Sequence, residues 1–234
     1  MPLEQHIHHV RACVRIRPLN ETEIQRGDAN SVNPRGNDQR GIQVTRKNGD
    51  NVGGNYRFHR VFGPNQTNQE VYDDAIKNVV QVRTGDGSAR RVCWTFESHH
   101  TLLSFFCVQD FLCGVNATVI AYGQTNSGKT HTMAGNQDDC GIAQCATRDL
   151  FEHISQHPER EFLVRVSMCE VDSNCVRDLL CKSSAQRNAS LDVYSDPEGR
   201  GEVVKNLTES IVTSPSQVRY LPTLQMGHSG IGCG

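Results

Sequence analysis

Residues 123–130 read GQTNSGKT, the pattern G-x-x-x-x-G-K-[ST] of a phosphate-binding loop. Its glycines let the backbone curl so that successive N–H groups face inward, toward phosphate oxygens. Lys129 is expected to reach the β/γ-phosphates and the Thr130 hydroxyl to hold Mg²⁺. A glycine-rich turn can match such a pattern by chance, so the flanking elements decide. Residues 118–122, TVIAY, form a β-branched and aromatic run that reads as a buried strand entering the loop. A helix is expected to start near Lys129, with its free N–H groups toward the phosphates.

The bulk properties narrow the rest. A chain of 234 residues fits one large α/β domain better than two small ones. A formal net charge of −2 carries no global signature for DNA or RNA. Only 36% of residues are hydrophobic, and mean hydropathy is −0.52, so part of the chain is expected to lie outside a packed core. No apolar run approaches the roughly twenty residues of a membrane span, and the first twenty residues lack the apolar stretch of a signal peptide. A cytoplasmic protein is the expectation. The ten cysteines include no C-x-x-C pair, so they read as reduced thiols and not as a zinc site or a disulfide framework. The cluster His6-Ile7-His8-His9 reads as a solvated terminus and not a metal site.

Hydrophobic periodicity orders the elements. Residues 9–17 alternate as a strand that Pro18 ends. Residues 42–44 suggest a short edge strand and 56–58 another. Asn65 or Thr67 is placed to cap a helix over 69–81. After the loop come a helix near 146–155, a strand over 161–172, and a short helical turn at 175–180. Short strands at 191–194 and 202–205 flank a turn at 197–199. Strands alternating with helices around a phosphate loop predict an α/β sheet flanked by helices.

Five stretches, in order, resemble a kinesin motor domain. They are VRIRPLN at 14–20, YRFHRVFGPNQTNQEVYDD at 56–74, GVNATVIAYGQTNSGKTHTMAG at 114–135, VRVSMCEVDSNCVRDLL at 164–180 and LTESIVTSPSQ at 207–217. The fourth is the weakest, with Met168-Cys169 and Asp172-Ser173 where the family carries aromatics. The resemblance implies a P-loop NTPase sheet of the kinesin type, binding ATP with Mg²⁺ and microtubules, in a cytoskeleton-associated protein. By the same resemblance, Gly123, Gln124, Thr125, Asn126, Ser127 and Gly128 wrap the phosphates, Lys129 pairs with their charge, and Thr130 is the metal ligand. Arg15 and Pro18 resemble the adenine-side contacts, with His131 and Tyr72 nearby. A solvated strand residue and a partly buried helix residue are the plainer readings of Arg15 and Tyr72.

The resemblance describes 1–217 as a partial motor domain with two foreign stretches. Residues 82–109 separate the helix from the strand it should lead into, and 218–234 carry no family character. The 28 residues of the first stretch are flanked by codons compatible with splice sites. Read-through of two introns and a lineage-specific loop are the two readings. On either, 82–109 is expected not to join the sheet, and its deletion to preserve solubility. The family's switch strings, N-x-x-S-S-R-S-H and D-x-x-G-x-E, do not occur. The second belongs to a strand beside the phosphate-loop strand, so an unpaired sheet edge is expected there. The principal microtubule-binding elements lie beyond residue 217 in the family pattern. Two functions follow: an ATP-binding microtubule motor domain with little or no ATPase, or a non-motor nucleotide-binding product. A small P-loop kinase is a weaker third, lacking a second catalytic motif.

Overall fold

The structure, a computed structural model, describes residues 11–46, 50–51, 56–77, 93–98, 103–105, 117–172, 175–183, 189–197 and 201–219. The histidine cluster at 6–9, helix residues 78–81, most of 82–109 and the stretch 220–234 lie outside them. The chain divides into two units, 1–146 and 147–234.

The first unit opens with β1, Arg11–Arg15, and the short helix α1, Glu21–Gln25. Asn20 starts α1 with a capping box: its side chain accepts from Glu23 N, and Asn20 N donates to the Glu23 carboxylate, both at 2.8 Å. Next come β2, Val32–Arg35, β3, Gly41–Val44, and β4, Tyr56–Arg57, in an antiparallel three-stranded sheet. The sequence places 42–44 at an edge. In the structure β3 lies between β2 and β4, and its Ile42 is buried.

β5, Arg60–Phe62, pairs parallel with β1. Five residues, from Gly63 to Thr67, then turn the chain into α2, Asn68–Tyr72, which continues as a π-helical turn, Asp73–Lys77. Of the two candidate caps, Thr67 is the one used: its hydroxyl accepts from Glu70 N at 3.2 Å, and Thr67 N donates to Glu70 at 2.7 Å.

β6, Cys93–Ser98, β7, Leu103–Phe105, and β8, Thr118–Gly123, complete a five-stranded sheet of order β5-β1-β7-β8-β6. β6 runs parallel to β8 from Cys93↔Thr118 to Ser98↔Gly123. β7 lies antiparallel between β1 and β8, with Ser104 opposite both Ala12 and Ile120. Two expectations are corrected here. Part of 82–109 does join the sheet, and the phosphate-loop strand has both of its edges paired. The physical reason is that CWTFES and LSF are rich in aromatic and other β-favouring residues. Ladder pairing with β8 satisfies backbone groups that would otherwise be left without partners.

β8 alternates, with Val119, Ala121 and Gly123 buried. Val119 and Ala121 pack with Phe62, Tyr72 and Ile76, and with Met133 of α3, Lys129–Ala134, and Ile142 of α4, Ile142–Gln156. Val14 and Ile16 pack in a second cluster with Ile42 and Val61. Alternation along β1 therefore sends Cys13 to one cluster and Val14 to the other. Burial raises the Cys13 thiol to about 11, so this thiol is inert.

In the second unit, the strand expected over 161–172 is divided into β9, Arg165–Val166, and β10, Cys169–Asp172. The helical turn expected at 175–180 is instead β11, Cys175–Asp178, paired antiparallel with β10. Its burial alternates, with Val176 and Asp178 inward. The local helical spacing of Val176, Leu179 and Leu180 yields to ladder pairing across a tight hairpin. Asp178 is 3% exposed and accepts from Leu180 N at 2.9 Å and Thr208 N at 2.8 Å. Burial opposes its ionisation, but these donors outweigh it and hold the carboxyl below its usual range. β12, Val193–Ser195, and β13, Glu202–Val204, form the expected hairpin. β14, Ser210–Ile211, pairs with β9, and α5, Pro215–Arg219, follows.

Candidate nucleotide site

The expected strand, loop and helix are all present: β8 ends at Gly123 and α3 begins at Lys129. Between them the chain needs left-handed backbone at Asn126, φ 64°, and at Gly128, φ 96°. Glycine adopts this region freely, and asparagine is among the few other residues that do so readily. Arg17 Cδ lies 3.9 Å from where a Cβ on Gly128 would sit. The loop is closed by Ser127 N donating to Gln124 O at 3.1 Å, and α3 is tied to it by Thr132 N donating to Gly128 O at 2.9 Å.

Lys129 folds back over the loop, donating to the carbonyls of Gly123 and Gln124, the latter at 3.0 Å. The ammonium is therefore held at the mouth of the loop by groups that a phosphate oxygen can replace. Ser127 Oγ is buried with no hydrogen-bond partner among the described residues. An orphaned hydroxyl inside the curl is the feature a bound oxyanion would satisfy. Thr130 is exposed in the first turn of α3, where its hydroxyl is accessible to a metal ion. The residues present thus fit a nucleotide phosphate chain with Mg²⁺.

The adenine-side candidates separate. Pro18 and His131 are exposed. Tyr72 is fully buried in the core, deeper than the partly buried helix residue of its plainer reading. Arg15 is engaged internally: Nη1 donates to Asn68 Oδ1 and to Thr132 Oγ1 at 2.9 Å, and Nη2 to Gln66 O at 3.0 Å. It ties β1 to α2 and to the phosphate-loop helix. Burial lowers the Arg15 pKa, against the pull of Asp139. Burial and the Arg15 charge also lower that of His131, which Asp139 opposes; neutral imidazole is the form this favours at pH 7.

The sequence reading missed the centre of this arrangement, Asn68. It is 0% exposed. Its Nδ2 donates to His131 O at 2.9 Å and Asp139 O at 3.3 Å, and its backbone N donates to the Asp139 carboxylate at 3.0 Å. A polar residue at the start of an apolar helix face, directly after a capping threonine, is the signal that could have flagged it. Asn68→Ala is expected to lower stability by about 2 kcal/mol, because it removes an acceptor of the half-buried Arg15 guanidinium and a donor to His131 O and Asp139 O, which keep only Gly135 N and Asn136 N. Urea unfolding monitored by circular dichroism checks this, and a loss below about 1 kcal/mol would remove the tie from the account.

Known proteins are similar to this chain. The kinesin motor domain profile matches residues 91–231. The chain is 34% identical over 224 residues to Kinesin-like protein KIN-7L, chloroplastic, of Arabidopsis thaliana, covering 96% of this chain and 19% of that protein. It is 32% identical over 224 residues to Kinesin-like protein KIN-7C, mitochondrial, of the same plant, covering 96% and 21%. It is also similar to human Centromere-associated protein E, 31% identical over 213 residues, covering 91% of this chain and 6% of that protein. The chain thus spans about a fifth of the length of the two plant relatives. Among the described residues, no helix is long and apolar enough to cross a membrane. The profile match over more than half of the chain, together with the strand, loop and helix at 118–134, places this protein in the kinesin motor domain family.

Proposed function

We propose that this chain binds Mg·ATP or Mg·ADP as the nucleotide-holding part of a microtubule motor domain, with little or no ATPase of its own. The observation that carries the reading is the loop from Gly123 to Thr130, with Lys129 above its carbonyls and the orphaned Ser127 hydroxyl inside. Gln124, Thr125, Asn126, Ser127 and Gly128 wrap the phosphates. Lys129 exchanges its loop carbonyls for phosphate oxygens, and Thr130 ligates Mg²⁺, which neutralises phosphate charge when bound. Pro18 and His131 flank the base. Arg15 acts from behind, by fixing Thr132 and the helix that Lys129 begins. Microtubule binding and a cytoplasmic, cytoskeletal location follow from the family.

One observation favours the second reading, a nucleotide-binding product that is not a motor. The parallel neighbour of the phosphate-loop strand is Cys93–Ser98, which lacks the second-switch string that the family carries beside this strand. Both readings share nucleotide binding, so that is tested first. A fluorescent-nucleotide titration is expected to show Mg-dependent binding that Lys129→Ala weakens at least about tenfold, the scale of losing one charge-assisted contact. Equal binding by the two proteins would remove the phosphate-loop assignment.

A further inference from the structure

The geometry points to a second anion site, at the opposite end of the sheet from the phosphate loop: a pocket that takes a tetrahedral oxyanion such as inorganic phosphate. β1 and β8 are both antiparallel to β7, so they run the same way. Through β7, Arg11 aligns with Val119, four residues before Gly123. That spacing sets the pocket on the order of 13 Å along the strands from the loop.

The cavity has a volume of about 180 Å³. Four basic side chains line it: Arg11 at the start of β1, Arg40 before β3, and His59 with Arg60 at the start of β5. Asp38 and Asp74 line it too, but each is engaged. Asp38 Oδ2 is 2.6 Å from Arg57 Nη2, and Asp74 Oδ2 is 2.6 Å from Arg60 Nε. The donors from Arg40 N and Arg57 hold the Asp38 carboxyl below its usual range. Arg11 and Arg40 form no salt bridge among the described residues, and the three guanidiniums of the lining outnumber its two carboxylates, Asp38 and Asp74.

One further donor adds to this lining. His59 Nδ1 accepts from Ala12 N at 3.1 Å, so the neutral ring carries its proton on Nε2, as a donor. Guanidinium forks and an imidazole N–H around a small cavity match the several acceptor oxygens of phosphate. Buried Cys13 also lines the pocket, and its raised pKa keeps it neutral there.

The test is made on the chain carrying Lys129→Ala, so that phosphate at the nucleotide loop does not contribute. Isothermal titration with inorganic phosphate at low ionic strength is expected to show one site per chain. Arg11→Ala combined with Arg40→Ala should weaken it by about tenfold or more. Arg26→Ala, which removes one positive charge that does not line the pocket, should leave it within about twofold. Asp38→Asn keeps an acceptor for Arg40 N while removing a negative charge, and should tighten binding severalfold. This last arm stands even where the double arginine variant fails to fold. No phosphate binding, or binding that Asp38→Asn leaves unchanged or weakens, would overturn the site. Because every arm carries Lys129→Ala, these outcomes are independent of whether the loop binds nucleotide.

Discussion

Ser104→Pro is expected to lower the melting temperature of the first unit, and deletion of residues 82–109 to abolish its cooperative unfolding. Ser104 sits in the middle of β7, with neighbours on both sides, Ala12 of β1 and Ile120 of β8. Proline there has no N–H to donate, and strands with two neighbours do not accommodate it. A loss of a few kcal/mol is expected, which for a chain of this size lowers the melting temperature by roughly 10 °C. Deletion goes further, removing β6 and β7 together. β8 would lose its register pairs with Cys93–Ser98 on one edge and Leu103–Phe105 on the other. Each buried backbone group left unpaired costs about 1–3 kcal/mol, and several together exceed the roughly 5–15 kcal/mol that holds an ordinary domain folded. Thermal melts of both variants, followed by circular dichroism, check this. A deletion variant that melts cooperatively at the parent temperature would show that the helix and the phosphate-loop strand need no strand from this segment. That was the expectation from the sequence pattern alone.

Nucleotide binding and nucleotide turnover are expected to separate in this chain. The loop from Gly123 to Thr130 offers a cradle, a cation and a metal ligand. Hydrolysis needs more: a group to orient the attacking water, and charge stabilisation on the γ-phosphate, contributions worth about 10³–10⁵ in rate for a stabilising cation alone. The strings that supply these in the family are absent from the 234 residues, and the strand beside β8 is CWTFES. Steady-state phosphate release is therefore expected to stay at background with or without microtubules, while the titration with fluorescent nucleotide still saturates. Turnover stimulated to the rates of nucleotide-driven motors would mean that other residues of the chain supply these groups, and the reading of a cradle without a trigger would fall.

Glycine placement and local periodicity made much of the site legible in advance. The strand at 118–123, the left-handed backbone at Gly128 and the helix starting at Lys129 all follow from short-range requirements. A phosphate loop needs residues that tolerate positive φ, and a buried strand needs β-branched residues in a row. The capping box at Thr67 is equally local, since threonine and glutamate three residues apart satisfy each other's backbone groups. The same logic reached the hairpin of β12 and β13.

What the sequence could not decide depended on pairings between distant segments. Whether CWTFES and LSF join the sheet turns on the open edges of β8, and no window of sequence contains both partners. Residues 175–178 look helical by spacing and are a strand because β10 lies beside them. Arg15 is an adenine-side contact by family resemblance and a solvated residue by its strand; its three acceptors come from Gln66, Asn68 and Thr132, up to 117 positions away. Asn68 has no motif at all; its role exists only where α2, β1 and α3 meet. Local chemistry is written in the order of residues, because backbone conformation and capping act over a few positions. Burial and the choice of strand partner act through space, and only the folded chain determines them.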